Sequence, residues 1–152
     1  LLEDLAADPA AYGTLFFSAF TSATLLPGSS EAALVAMLAM GRGDPALLIA
    51  TATAGNVLGS LVNWLLGRSI ATLRSRRWFP VDSMTFDRAA IWYGRYGVWS
   101  LLLSWVPIIG DPLTVVAGAL RIGVLRFLVL VTIGKAARYI AVSGAFHWWS
   151  GS

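Results

Sequence analysis

Four ionisable residues stand inside otherwise apolar stretches of this chain: Glu31, Asp111, Lys135 and Arg138. Each acid follows a proline by four positions, in Leu26-Pro27-Gly28-Ser29-Ser30-Glu31 and in Val106-Pro107-Ile108-Ile109-Gly110-Asp111. The two bases lie three residues apart, so on a helix they share a face. At lipid depth a helix breaker is tolerated only where protein buries it or where it lines a cavity. A basic residue midway along a span costs about 3 kcal/mol or more by insertion scales. At ~1.5 Å rise per residue, neither base snorkels easily to an interface. Two acids and two bases sum to zero charge, the balance a buried set requires. Two chemistries fit this set. The residues form fixed ion pairs that hold a bundle, or the pairs are exchangeable. In the second case an anionic head group, most simply a phosphate, competes with Glu31 and Asp111 for Lys135 and Arg138. Helices starting near Ser29 and Asp111 would also aim N-termini at the anion. Protonating one acid would free its base and couple the movement to protons.

Composition supports an apolar surrounding. The chain has 152 residues, 57% hydrophobic and 12% charged, with mean hydropathy +0.72. A soluble domain is nearer a quarter charged, so the class expected is all-α integral membrane protein. The absence of cysteine excludes disulfides, thiolate catalysis and cysteine-ligated metals. His147 is the one histidine and adjoins Trp148 and Trp149, an interfacial position. No metal site and no cofactor are expected. Ser29 and Ser30 lie in no GxSxG elbow, and there is no P-loop. The chain is therefore not expected to be an enzyme or an ATP-driven pump. The net charge of +3 is expected to set topology and lipid contact, not nucleic-acid binding. The acidic start, Leu1-Leu2-Glu3-Asp4, lacks the basic region of a cleavable signal, so none is expected.

The elements that must position the four charges follow from the order of breaks. Residues 1–9 are a lead-in to a single membrane domain over 10–149. Within 10–40, a 17-residue apolar stretch stops at Pro27-Gly28, and the nine-residue apolar piece that follows, Ala32 to Met40, is far too short to cross alone. This predicts a re-entrant helical hairpin; the alternative is one long kinked helix. Asp44-Pro45 is a helix start, opening a full span over 45–67. Asn56, Gly59, Ser60, Asn63 and Gly67 recur on one face of that span, and Gly55 with Gly59 forms a GxxxG. Such a stripe either packs helices tightly or lines a polar path. A homodimer through the Gly55/Gly59 face is expected for so small a protomer. Residues 68–96 form a basic linker with a surface helix over 82–93. A second re-entrant hairpin, over 97–121, breaks at Pro107 and Gly110. Its second helix starts with Asp111 as N-cap and Pro112 in the first helical position. A second span covers 122–149.

Broken element, hinge and full span thus occur twice. If each hairpin returns to its own side, the two units are inverted, with both tips near the midplane, the layout of many secondary transporters. The linker, Arg121 and Arg126 then face the cytoplasm, eight arginines against Arg42 alone on the other side.

Residues 22–31 resemble the first hairpin of the DedA superfamily, also called VTT or SNARE-associated Golgi proteins, and most closely its small YqaA branch. Leu102-Leu103-Ser104-Trp105-Val106-Pro107-Ile108-Ile109-Gly110-Asp111 is similar to that branch's second hairpin. Gly55-Asn56-Val57-Leu58-Gly59 and Gly134-Lys135-Ala136-Ala137-Arg138-Tyr139 are similar to its spans. The resemblance implies a bacterial inner-membrane protein that handles lipid. Its bacterial relatives are associated with recycling of undecaprenyl phosphate and with proton-motive-force homeostasis, and its eukaryotic relatives with phospholipid scrambling. Many members carry arginines three residues either side of the second proline, where this chain has Ser104 and Gly110. The function expected is movement of an anionic lipid, such as a polyprenyl phosphate or a phospholipid, between leaflets. The alternatives are a proton- or cation-coupled small-solute transporter and a non-transporting membrane scaffold.

Overall fold

The computed structural model describes residues 8–23, 28–69, 83–106 and 110–151. Among these, every regular element is helical: α1 (Pro9–Ser22), α2 (Ser29–Ala39), α3 (Pro45–Arg68), α4 (Ser83–Tyr96), a 3-10 segment (Gly97–Trp105), α5 (Gly110–Ala119) and α6 (Val124–Ser150). Pro27, Pro107 and residues 70–82 of the basic linker lie outside the described residues.

Two helices start on the same local signal. Asp8 precedes Pro9 and accepts a hydrogen bond from Ala11 N at 3.1 Å. Asp44 precedes Pro45 and accepts one from Leu47 N at 3.0 Å. In each case the side chain satisfies an amide that the first turn leaves unpaired, and proline occupies a position that needs no donor. The third Asp-Pro pair behaves differently. Asp111 was expected as an N-cap, but α5 begins one residue earlier, at Gly110, whose amide donates to Val106 O at 2.9 Å. Asp111 is therefore inside the first turn. Pro112 is still tolerated there, because the first four helix amides have no intrahelical acceptor. Gly110 takes part because its missing Cβ lets its backbone press against the main chain of Ser104.

α1 and α2 double back on each other. Ser18 and Ser22 meet Ser29 and Ser30 at one end, with Oγ–Oγ distances of 3.5 and 3.3 Å. At the other end Arg42 Nε donates to Asp8 Oδ2 at 2.8 Å, and Asp44 N donates to Tyr12 Oη at 3.1 Å. Gly28 makes the entry to α2 with φ of 87°, a left-handed conformation that glycine adopts without Cβ strain. With 14 and 11 residues, the two helices are about 21 and 17 Å long.

The second broken element is less regular than its sequence suggests. Gly97–Trp105 winds as a 3-10 helix after a left-handed Gly97 with φ of 66°. Where it crosses α6 the backbones nearly touch: a Cβ on Gly134 would lie 2.9 Å from Leu102 O. The narrower 3-10 winding suits that close crossing. The expected surface helix of the linker forms as α4, but it is not wholly solvated. Its Ala89 is buried against Leu113, Val115 and Val116 of α5.

α3 is the centre of the packing. Gly55 and Gly59 let the Phe16 and Phe20 carbonyls of α1 approach, and Gly67 faces the Val115 carbonyl of α5. Gly118 of α5 meets the Trp64 carbonyl of α3. The expected dimer face at Gly55/Gly59 is thus corrected: α1 of the same chain fills it. Backbone contact of this closeness leaves no room for a second copy. α3 alone passes for a membrane span by length and composition among the described residues. α6 has 27 residues but carries Arg126, Lys135 and Arg138 along its length.

Candidate functional site

α6 presents Lys135, Arg138 and Tyr139 within little more than one turn, and each finds a partner on another element. Lys135 is fully buried, and its Nζ donates to Asp111 Oδ1 of α5 at 2.6 Å. Arg138 Nη2 lies 2.6 Å from Glu31 Oε1 of α2. Tyr139 Oη donates to Ser30 Oγ at 2.8 Å, and Ser30 Oγ donates in turn to Ser22 Oγ of α1. The four expected charges therefore do meet, as two crossed pairs. The acids come from the two broken elements and the bases from one helix. Three residues of helix separate the bases, so the pairs are offset by only about 4.5 Å along its axis.

The pairs are not equivalent. The Lys135–Asp111 pair is a hydrogen-bonded contact to a base with no exposed side-chain surface, whereas Asp111 keeps 25% of its side chain exposed. The Arg138–Glu31 pair is more open on the basic side, with 15% and 18% exposed. Glu31 Oε2 is buried and has no hydrogen-bond partner among the described residues. A carboxylate oxygen in that position is a ready acceptor for a proton or a donor group.

The asparagines have other partners. Asn56 Nδ2 donates to Ala19 O at 2.8 Å, and Asn63 Nδ2 donates to Ala23 O at 2.9 Å. Both donate to carbonyls at the end of α1, where the last carbonyls lack helical donors. Asn63 also reaches Thr114 Oγ1 on α5 at 3.3 Å, so it ties both broken elements to α3. Their carbonyl oxygens, and the hydroxyls of Ser60, Ser100 and Ser104, are buried without a hydrogen-bond partner among the described residues. Of the expected hairpin breaks, Gly28 and Gly110 stand at helix starts and Pro112 is buried in the first turn of α5. Gly110 has no room for a side chain, because a Cβ there would collide with the Ser104 carbonyl. An arginine at either end of that Ser104–Gly110 contact would require a different local packing. Among the described residues no group of histidine or carboxylate side chains could hold a metal.

Sequence reasoning passed over Tyr139, Ser30 and Thr114. The available signal was adjacency: Ser30 precedes Glu31, Tyr139 follows Arg138, and Tyr139 lies one turn beyond Lys135.

Residues 26–147 match the VTT domain family. The chain is 45% identical over 140 residues to the inner membrane protein YqaA of Escherichia coli, covering 90% of this chain and 94% of that protein. It is 38% identical over 135 residues to an uncharacterized protein of Haemophilus influenzae, covering 84% and 82%. A shorter match, 30% over 95 residues, is to undecaprenyl phosphate transporter A of Staphylococcus aureus, covering 57% of this chain and 47% of that protein. No solved structure gives a significant match. Helical in every regular element among the described residues, with two acid-bearing broken elements converging on one basic helix face, this chain belongs by these matches to the VTT-domain, or DedA, family.

Proposed function

We propose that this chain is a bacterial inner-membrane transporter that moves an anionic lipid head group between leaflets by exchanging it against Glu31 and Asp111. The observation that carries the reading is the crossed pair of contacts, Glu31–Arg138 and Asp111–Lys135, drawn from two broken elements onto one helix. A phosphate is the simplest competitor for two bases about 4.5 Å apart along a helix. Membership of the family, the inner-membrane relative and the relative named as an undecaprenyl phosphate transporter support the same direction.

In this reading α1–α2 and the 3-10 segment with α5 are re-entrant hairpins. Neither α1 nor α2 is long enough to cross a hydrocarbon core of about 30 Å, and their far ends meet at Asp8 and Arg42. The two hairpin-plus-span units are inverted, so α3 and α6 span and the tips approach the midplane from opposite sides. Cross-packing between the units supports this: α2 of the first unit meets α6 of the second, and α5 of the second meets α3 of the first. The basic linker faces the cytoplasm by the arginine excess. The chain acts without enzymatic chemistry.

Protons enter through the acids. Protonating Glu31 or Asp111 weakens its hold on the facing base and opens that base to the lipid phosphate. Purified protein in liposomes should accelerate leaflet exchange of a labelled polyprenyl phosphate or an anionic phospholipid, with a rate that depends on pH. Glu31→Gln and Asp111→Asn should each cut the rate at least about tenfold and flatten its pH dependence. Transport and pH dependence that survive both substitutions would overturn the reading and leave the four charges as structural ion pairs.

A further inference from the structure

α2 is attached to the rest of the molecule differently from every other helix near the site. The close backbone contacts made through glycine join α1 to α3, α3 to α5, the 3-10 segment to α5 and the 3-10 segment to α6. None given for the described residues involves 29–39, and Gly28, at the head of α2, has open space around it. α2 buries only Ser30, Leu34 and Met37. Such an element is held by side-chain contacts alone, and two of these stand side by side. Glu31 meets Arg138, and one residue before and after them Ser30 meets Tyr139.

The two links differ in chemistry. The ion pair is partly exposed and charged, so an incoming anion or a proton competes with it directly. The Tyr139–Ser30 bond is neutral and fully buried, since both residues have zero exposure. It continues through Ser22, which anchors it to the end of α1. Tyr139 itself belongs to the buried core cluster that includes Leu15, Ala19, Leu34 and Leu48. Neither an anion nor a proton in the ordinary pH range displaces a neutral phenol–hydroxyl bond in such surroundings.

We propose that Tyr139 and Ser30 are positioning residues that form a neutral tether, holding α2 on α6 while the Glu31–Arg138 pair opens and guiding the carboxylate back afterwards. This rests on the exchange reading above. The tether keeps Glu31 at high local concentration beside Arg138, so it makes the acid a stronger competitor of the transported anion. Binding to a base that is free for only a fraction of the time is weakened by that fraction. Loss of the tether therefore has two consequences of opposite value. The anion binds more readily, and re-closure slows.

The absence of native cysteine allows a clean distance measurement. Spin labels at Ala36→Cys on α2 and Leu125→Cys on α6 should give a narrow distance distribution in the parent. Tyr139→Phe and Ser30→Ala should each broaden it, and the double substitution should broaden it no further than Ser30→Ala alone, because that change already removes both the Tyr139–Ser30 and the Ser30–Ser22 bonds. In liposomes, with a labelled polyprenyl phosphate as probe, each variant should lower the apparent KM and the maximal rate together, by about fivefold for Tyr139→Phe, the worth of one hydrogen bond, and by at least as much for Ser30→Ala. A distribution that stays as narrow as the parent's in both variants overturns the tether. So does a lower rate with an unchanged or higher KM, which is the mark of a merely structural defect. A parent that carries no lipid, together with variants whose label distributions broaden as described, retains the tether and removes the transport reading.

Discussion

At the residue scale, the two ion pairs have different liabilities because burial falls on different partners. Lys135 has no exposed side-chain surface, so removing the charge of Asp111 leaves a buried cation without its partner. Breaking one side of such a pair typically costs about 3–5 kcal/mol. Arg138 is partly exposed and its guanidinium is long, so losing the charge of Glu31 should cost less. Thermal unfolding of the purified protein in detergent should therefore rank Asp111→Asn below Glu31→Gln in stability. Equal losses would mean that the two sites share one environment. Paired substitution of Lys135→Met with Asp111→Leu should recover much of the stability lost by Asp111→Asn, while leaving leaflet exchange abolished. That combination separates the structural share of the pair from its functional one. The identity of the four charges was legible because ionisable residues inside apolar stretches are expensive. Which acid meets which base was not, since nothing along the chain distinguishes Lys135–Asp111 from Lys135–Glu31.

At the element scale, glycines decide how near the helices come. Gly67 on α3 and Gly118 on α5 bring the two backbones together at the Val115 and Trp64 carbonyls. The atoms that a new methyl would meet are main chain and cannot rotate away. Gly67→Ala and Gly118→Ala should each destabilise by about 2–3 kcal/mol, a typical cost of overpacking. Gly144, on the exposed side of α6, has nothing within 4 Å. Gly144→Ala should be neutral or stabilise by up to about 1 kcal/mol through helix propensity. Gly28→Ala has space but a left-handed φ of 87°, so it should cost about 1–2 kcal/mol from backbone strain alone. Melting temperatures of the four variants check this ordering. The GxxxG at Gly55 and Gly59 was visible in the sequence as a packing face. Its partner was not, because a small-residue stripe specifies a close approach and leaves open whether the approaching helix belongs to the same chain. The 3-10 winding of Gly97–Trp105 was also hidden, as was its close crossing with α6 at Gly134.

At the scale of the whole molecule, the crossed packing of α2 with α6 and of α5 with α3 makes each broken element lean on the other unit's long helix. The proposed inverted topology has a direct check. Single cysteines replacing Gly94, near the end of α4, and Ser150, at the end of α6, should be modified from opposite faces of the membrane, Gly94→Cys from the cytoplasm. Labelling of both from one face would remove the inversion, and with it the convergence of two tips from opposite sides. The stripe of Asn56, Ser60 and Asn63 belongs to this scale too. Its amides hold carbonyls at the end of α1, so the stripe first assembles the bundle, and any contact with a passing lipid has to use the unpartnered oxygens that remain.

By itself, the sequence determined the helical class, the two breaks and the neutral set of four charges. Each of these follows from local costs: apolar length, proline and glycine in a helix, and charge away from water. Tertiary structure alone decided the pairing of charges, the occupant of the Gly55/Gly59 face, the start of α5 at Gly110 rather than at an Asp111 cap, and the buried bond between Tyr139 and Ser30. Those outcomes depend on which helices are neighbours. That choice is a property of the assembled backbone, where a missing Cβ or a hydroxyl 109 residues away sets what a side chain can reach.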